Sequence, residues 1–135
     1  MRTRIDVGFV LLAILGIGAL VNGVWMQLDA QGWFARVASD VAPFNVHFVR
    51  DIGAAYLATG GALVAAALRP AWRVPLVATA LVFHGLHALG HARETASGEL
   101  ASFHWIEDLP GVHLPALVML ALLVAYARRP APDPR

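Results

Sequence analysis

Four stretches of the chain read as nearly unbroken apolar runs, and polar residues gather between them. The runs are Ile5 to Met26, Val46 to Leu68, Val74 to Ala92 and Val112 to Ala127. A helix needs about 20 mainly apolar residues to cross a bilayer, and the runs approach or exceed that length, the fourth being the shortest. The pattern predicts an all-α protein: an integral membrane four-helix bundle of up-down topology. A single four-span domain occupies 1–129. The tail 130–135 carries Pro130, Pro132 and Pro134 and is expected to be non-helical and disordered. Arg2 and Arg4 ahead of a long apolar run also have the form of a secretory signal. The run is long for a signal and lacks an A-x-A site, so an uncleaved first span is expected.

The short turn Arg69 to Arg73 makes spans two and three antiparallel neighbours. The other two loops are longer. Each holds an amphipathic stretch expected to lie in the membrane interface: Trp33, Phe34 and Val37 in one, Leu100, Phe103 and Trp105 in the other. Trp25, Trp33, Phe44 and Trp105 would form an outer aromatic belt, with Trp72 and Tyr126 on the inner one.

Composition agrees with this reading. Of 135 residues, 59% are apolar and 14% charged, and mean hydropathy is +0.64. Globular domains average about 45–50% and about 25%. These values exclude a disordered chain, a nucleic-acid binder and an ordinary soluble enzyme. Cysteine is absent, which excludes disulfides, thiolate zinc sites and thiol catalysis. No dinucleotide, P-loop or nucleophile-elbow motif is present, so the sequence names no reaction.

All ten basic residues are arginine. Arg2, Arg4, Arg69, Arg73, Arg128, Arg129 and Arg135 fall on one side of the spans, and Arg36, Arg50 and Arg93 on the other. The positive-inside rule then places both termini in the cytoplasm. Most acids, including Asp29, Asp40, Asp51, Glu94, Glu99, Glu107 and Asp108, fall on the outer side.

All six histidines (His47, His84, His87, His91, His104 and His113) also belong to the outer half. At about 100° per residue, His84, His87 and His91 share an arc of about 60° on span three. His47, Arg50 and Asp51 share one face at the start of span two. Ionisable groups within a span usually face the bundle interior. The expectation is an outward-opening pocket lined by Asn22, His47, Arg50, Asp51, His84, His87, His91 and His113, with Glu107 and Asp108 over it as a lid. His104 is expected to be an exposed loop residue.

Three functions fit such a pocket. The leading one is a transition-metal site for Fe, Cu, Zn or Mn, since imidazole suits these ions. His84 and His91 stand about 10 Å apart along the axis, so one ion takes His87 with either of them. His47, His113 or Asp51 would complete the set, with Arg50 holding Asp51 or a substrate anion. A haem between two histidines is a variant; with no C-x-x-C-H it is not of the c type. The second is a pocket without metal that binds a quinone or lipid head group, or relays protons. The third is structural: a subunit of a larger membrane complex, or a homo-oligomer, using polar residues to fix packing. Gly53, Gly60 and Gly61 permit close helix approach in any of these.

The segment Phe44 to Leu57, with its H-x-x-R-D-x-G block at His47–Gly53, resembles that of small bacterial four-span membrane proteins of the DoxX-like kind. The resemblance extends to the short inner turn and the His-rich third span. It implies a small inner-membrane component linked to quinone-related redox chemistry.

Overall fold

The computed structural model describes residues 6–39 and 43–128. Ile5, Arg2, Arg4, Asp40, Arg129, Arg135 and the tail 130–135, which carry some of the expectations above, lie outside the described residues. Six helices follow in order: α1 (Val7–Leu28), α2 (Ala30–Val37), α3 (Val46–Leu68), α4 (Arg73–Ser97), α5 (His104–Asp108) and α6 (Leu114–Ala127). A 3₁₀ turn, Pro70–Trp72, joins α3 to α4, and a π-helical turn, Leu109–His113, joins α5 to α6. No strand occurs among the described residues.

The helix limits follow from local capping. Asp6 accepts a hydrogen bond from the Phe9 amide and opens α1. Asp29 closes α1 through its own amide to the Trp25 carbonyl and opens α2 by accepting from the Gly32 amide. Asn45 accepts from the His47 and Phe48 amides and opens α3. These side chains satisfy amides that a helix start leaves unpaired. Gly98, at φ 80°, ends α4 in the left-handed region that glycine enters without strain.

Span two is found where its apolar run places it. α4 runs five residues beyond the predicted third span, to Ser97. The largest difference is at the fourth: helix begins at His104, in a segment the sequence assigns to a loop, and continues to Ala127. Pro110 has no amide to give and would clash inside a regular α-helix; the π turn at Leu109–His113 accommodates it.

Four helical segments are long and apolar enough to cross a membrane: Val7–Leu28, Val46–Leu68, Pro70–Ser97 and His104–Ala127. Their exposed faces carry Ile14, Ile17, Val82, Leu86, Leu89 and Leu117, a surface that suits lipid. α1 packs on α3, α3 on α4, and α4 on α6. A core of Leu12, Leu63, Val77, Ala80 and Met119 ties the four together. A second cluster around Met26, Val49 and Tyr56 lies beneath α2.

The α1–α3 contact is the closest, and glycine makes it possible. A Cβ on Gly23 would stand 2.8 Å from the Gly53 carbonyl oxygen and 3.0 Å from the Leu57 amide. One on Gly60 would stand 2.9 Å from the Gly16 oxygen and the Leu20 amide. The neighbour for Gly53 and Gly60 is therefore in the same chain; Gly61 has nothing within 4 Å. Since backbone cannot yield as a side chain tip does, Gly23→Val is expected to destabilise the fold by about 1–3 kcal/mol or more. Gly61→Ala should be neutral or stabilise by about 0.5–1 kcal/mol through the helix preference of alanine. Thermal unfolding in detergent, followed by the helical circular dichroism signal, checks both.

Two aromatic expectations are corrected. Tyr126 is not in an interfacial belt: it is 7% exposed, with the Arg73 guanidinium 5.3 Å above its ring. Trp33 is turned inward by a 2.8 Å hydrogen bond from its indole nitrogen to the Asn22 side-chain oxygen. Trp25, Phe44, Trp105 and Trp72 are exposed, as an interface position requires.

Candidate functional site

A cavity of about 470 Å³ lies among the helices. Its walls are mainly apolar, with Ile14, Leu15, Leu63 and Met119 among them. Its polar lining comes from Asn22 and Trp33, from Tyr56 on α3, from His84, His87 and His91 on α4, and from His104 and Asp108 on α5. Pro110, Gly111 and Val112 of the π turn form another part of the wall. A π turn is wider than an α turn and often marks a functional position.

The histidines of α4 form a graded series. His84 is 5% exposed, and its Nε2 lies 3.2 Å from the Thr59 hydroxyl. That hydroxyl donates to the Ala55 carbonyl at 2.9 Å, so it accepts from His84 Nε2–H. The rings of Tyr56 and Phe83 stand 5.4 and 5.1 Å away, edge to face. His84 thus bridges α4 to α3. His87 is stacked on Phe83 at 5.9 Å and lines the cavity, making no hydrogen bond to the described residues. His91 holds the far end: its Nδ1 is 2.8 Å from Asp108 Oδ2.

Asp108 joins two histidines, because the same oxygen lies 3.7 Å from His104 Nδ1. All three side chains are largely buried, at 23%, 14% and 7% exposure for His91, Asp108 and His104. An ionised carboxylate can only accept, so His91 Nδ1–H donates to Asp108, and in the neutral ring Nε2 is left as an acceptor.

The other expected residues are placed elsewhere. His47, Arg50 and Asp51 are exposed on the first turns of α3 and do not line the cavity. His47 Nε2 pairs with Asp51 Oδ2 at 3.3 Å, and the Arg50 carbonyl accepts from Gln27. His113 is half-buried against Trp105, with ring centroids 6.0 Å apart, and is not part of the lining. Of the two lid residues, Asp108 points inward and Glu107 is exposed. His104 corrects the loop assignment: it is 6% exposed and faces the cavity. Its i, i+4 spacing to Asp108 was the available signal. Trp33 and Tyr56 were also missed as lining residues; a tyrosine one turn from Thr59 inside an apolar run was the hint for the second.

Among the described residues, no three His, Asp or Glu side chains converge as they would around a metal ion. His91, backed by Asp108, and His87, whose ring centre is 4.6 Å from that of His91, are the residues best placed to offer nitrogen to an ion or a haem.

Fold and site together define a class, a multi-pass helical membrane bundle with a histidine-lined internal pocket. Comparison with protein-family models, with curated proteins and with solved structures finds no match.

Proposed function

We propose that this is a bacterial inner-membrane protein, with both termini in the cytoplasm, that binds a planar, ring-bearing lipid of the quinone type by its head group. The observation that carries this reading is the His91–Asp108 pair set into a mainly apolar, ring-lined cavity. A volume of about 470 Å³ is in the usual range for small-molecule sites, which are mostly apolar with a few convergent polar groups. Trp33, Tyr56 and His87 supply flat surfaces for a ring. The free Nε2 of His91 accepts from a quinol hydroxyl; once protonated it donates to a quinone carbonyl. One imidazole thus serves both redox states, and Asp108 stabilises its cationic form. The arginine distribution supports the orientation, and the DoxX-like block at His47–Gly53 agrees with a quinone-linked role.

The test is a titration of a tail-less benzoquinone into detergent-purified protein, read by tryptophan fluorescence quenching. Saturable quenching is expected, with Trp33→Phe removing most of the signal. His91→Ala should weaken binding about tenfold or more, as loss of one hydrogen bond to a charged group implies. Non-saturable quenching, or His91→Ala binding like the wild type, would overturn the reading.

The 4.6 Å approach of His87 and His91 favours a second reading, a transition-metal or haem site. It requires about one equivalent of Fe, Cu, Zn or Mn in protein purified without a His tag, lost in the His87→Ala/His91→Ala double variant. Metal-free protein that still binds the quinone would decide against it.

A further inference from the structure

The long helices pack α1 on α3, α3 on α4 and α4 on α6, while the backbones of α1 and α6 approach each other little and meet mainly through side chains such as Leu12, Met119 and Tyr126. A second cavity, of about 220 Å³, occupies that seam, lined by Leu11, Leu114 and Val118 with Ile14, Leu15, Pro110 and Pro115. The last four also line the main cavity, so the two spaces share a wall and adjoin. Every seam residue is apolar. Ile14 and Leu114, on its two edges, are 63% and 51% exposed. Along α1, the seam lies about 10 Å or more from Asn22, towards the middle of the span.

We propose that this seam is a tail site: a lateral opening through which a long alkyl or isoprenoid chain leaves the pocket for the bilayer. This rests on the head-group reading above. Two features point to a tail. The polar lining groups all belong to the main cavity, and the seam beside it offers no hydrogen-bonding side chain. Pro110 and Pro115 bear on the geometry, since neither can complete the regular helix ladder where α6 begins, beside the gap. A ligand with an apolar tail can then pass between membrane and pocket without its tail meeting water.

The experiment uses the whole protein in lipid nanodiscs and a benzoquinone carrying a diazirine midway along a decyl tail. Labelled residues are mapped by mass spectrometry, and binding of the tail-less ring is followed separately by fluorescence. Labelling at Leu11, Leu114 and Val118 is expected. Excess tail-less ring at about ten times its dissociation constant should lower that labelling about tenfold by mass action. Val118→Trp, which fills the seam, should abolish it while the tail-less ring binds as before; Leu117→Trp, on the exposed face of α6, should leave it intact. Labels confined to Ile17, Val82 or Leu86 while the tail-less ring still binds would overturn the tail site and spare the pocket. Seam labelling that the ring does not compete would overturn it too, by showing that head and tail are not one molecule's. Absence of both ring binding and seam labelling would overturn the tail site together with the pocket reading.

Discussion

Asp6→Ala is expected to destabilise the folded protein by about 4 kcal/mol, far more than Arg73→Met. Arg73 is only 4% exposed, and its guanidinium grips Asp6 with two bonds, 2.9 Å from Nη1 to Oδ2 and 3.1 Å from Nη2 to Oδ1. It also lies over the Tyr126 ring, while its Nε finds no partner among the described residues. Removing the carboxylate strands a buried cation, which costs about 3–5 kcal/mol for fully enclosed pairs. Asp6 is 44% exposed, so the lower end of that range applies. Loss of its cap on the Phe9 amide adds about 1 kcal/mol. Arg73→Met removes the cation itself, keeps an apolar stem against Tyr126, and leaves Asp6 half in solvent and still capping α1. About 1 kcal/mol is expected there, as replacing a buried ion by an apolar side chain is often mild. Unfolding of the three proteins in one detergent measures the asymmetry. Equal losses for the two variants would show that the pair, rather than the stranded charge, carries the stability.

The second large effect is at Asp108. Asp108→Ala removes the carboxylate that faces His91 and His104 within the cavity, and about 1.5–3 kcal/mol of stability should go with it. Quinone binding should fall further than in His91→Ala, because the variant loses both the ring orientation and the charge that stabilises protonated imidazole. Asp108→Asn separates the two. An amide can still accept from His91 Nδ1, so most of the stability should remain while binding weakens. Binding unchanged in Asp108→Asn would mean that the carboxylate serves packing alone. Parallel melting curves and fluorescence titrations distinguish these outcomes.

Much of the bundle was legible in the chain because its causes are local. Apolar run length and the short Arg69–Arg73 turn each act over a span or a few residues. The start of the fourth helix was not legible. Leu109-Pro110-Gly111 reads as a break, and only the π turn, held between α5 and α6, carries helix through it. Tyr126 reads as interfacial by its place near the end of its span, yet burial against Arg73 and the start of α1 draws it inside.

The candidate site divides in the same way. His84, His87 and His91 share a face in sequence and share the cavity in the structure. His47, Arg50 and Asp51 also share a face, but it is the wrong one for a pocket. On a wheel of about 100° per residue, His47 and Asp51 stand roughly opposite the Gly53, Tyr56 and Gly60 face. That face is held against its neighbours by glycine contacts too close to admit a Cβ, which sets the rotation of α3 and turns His47 and Asp51 outward. The sequence by itself determined that the four apolar runs are helical and of membrane-spanning length, though not where the fourth begins, and which side chains share a helix face, because each depends on neighbours within a turn or a span. Only the tertiary structure decided which of those faces meet, since that rests on contacts between residues as distant as Gly23 and Gly53, or Asn22, His91 and Asp108, that no local pattern specifies.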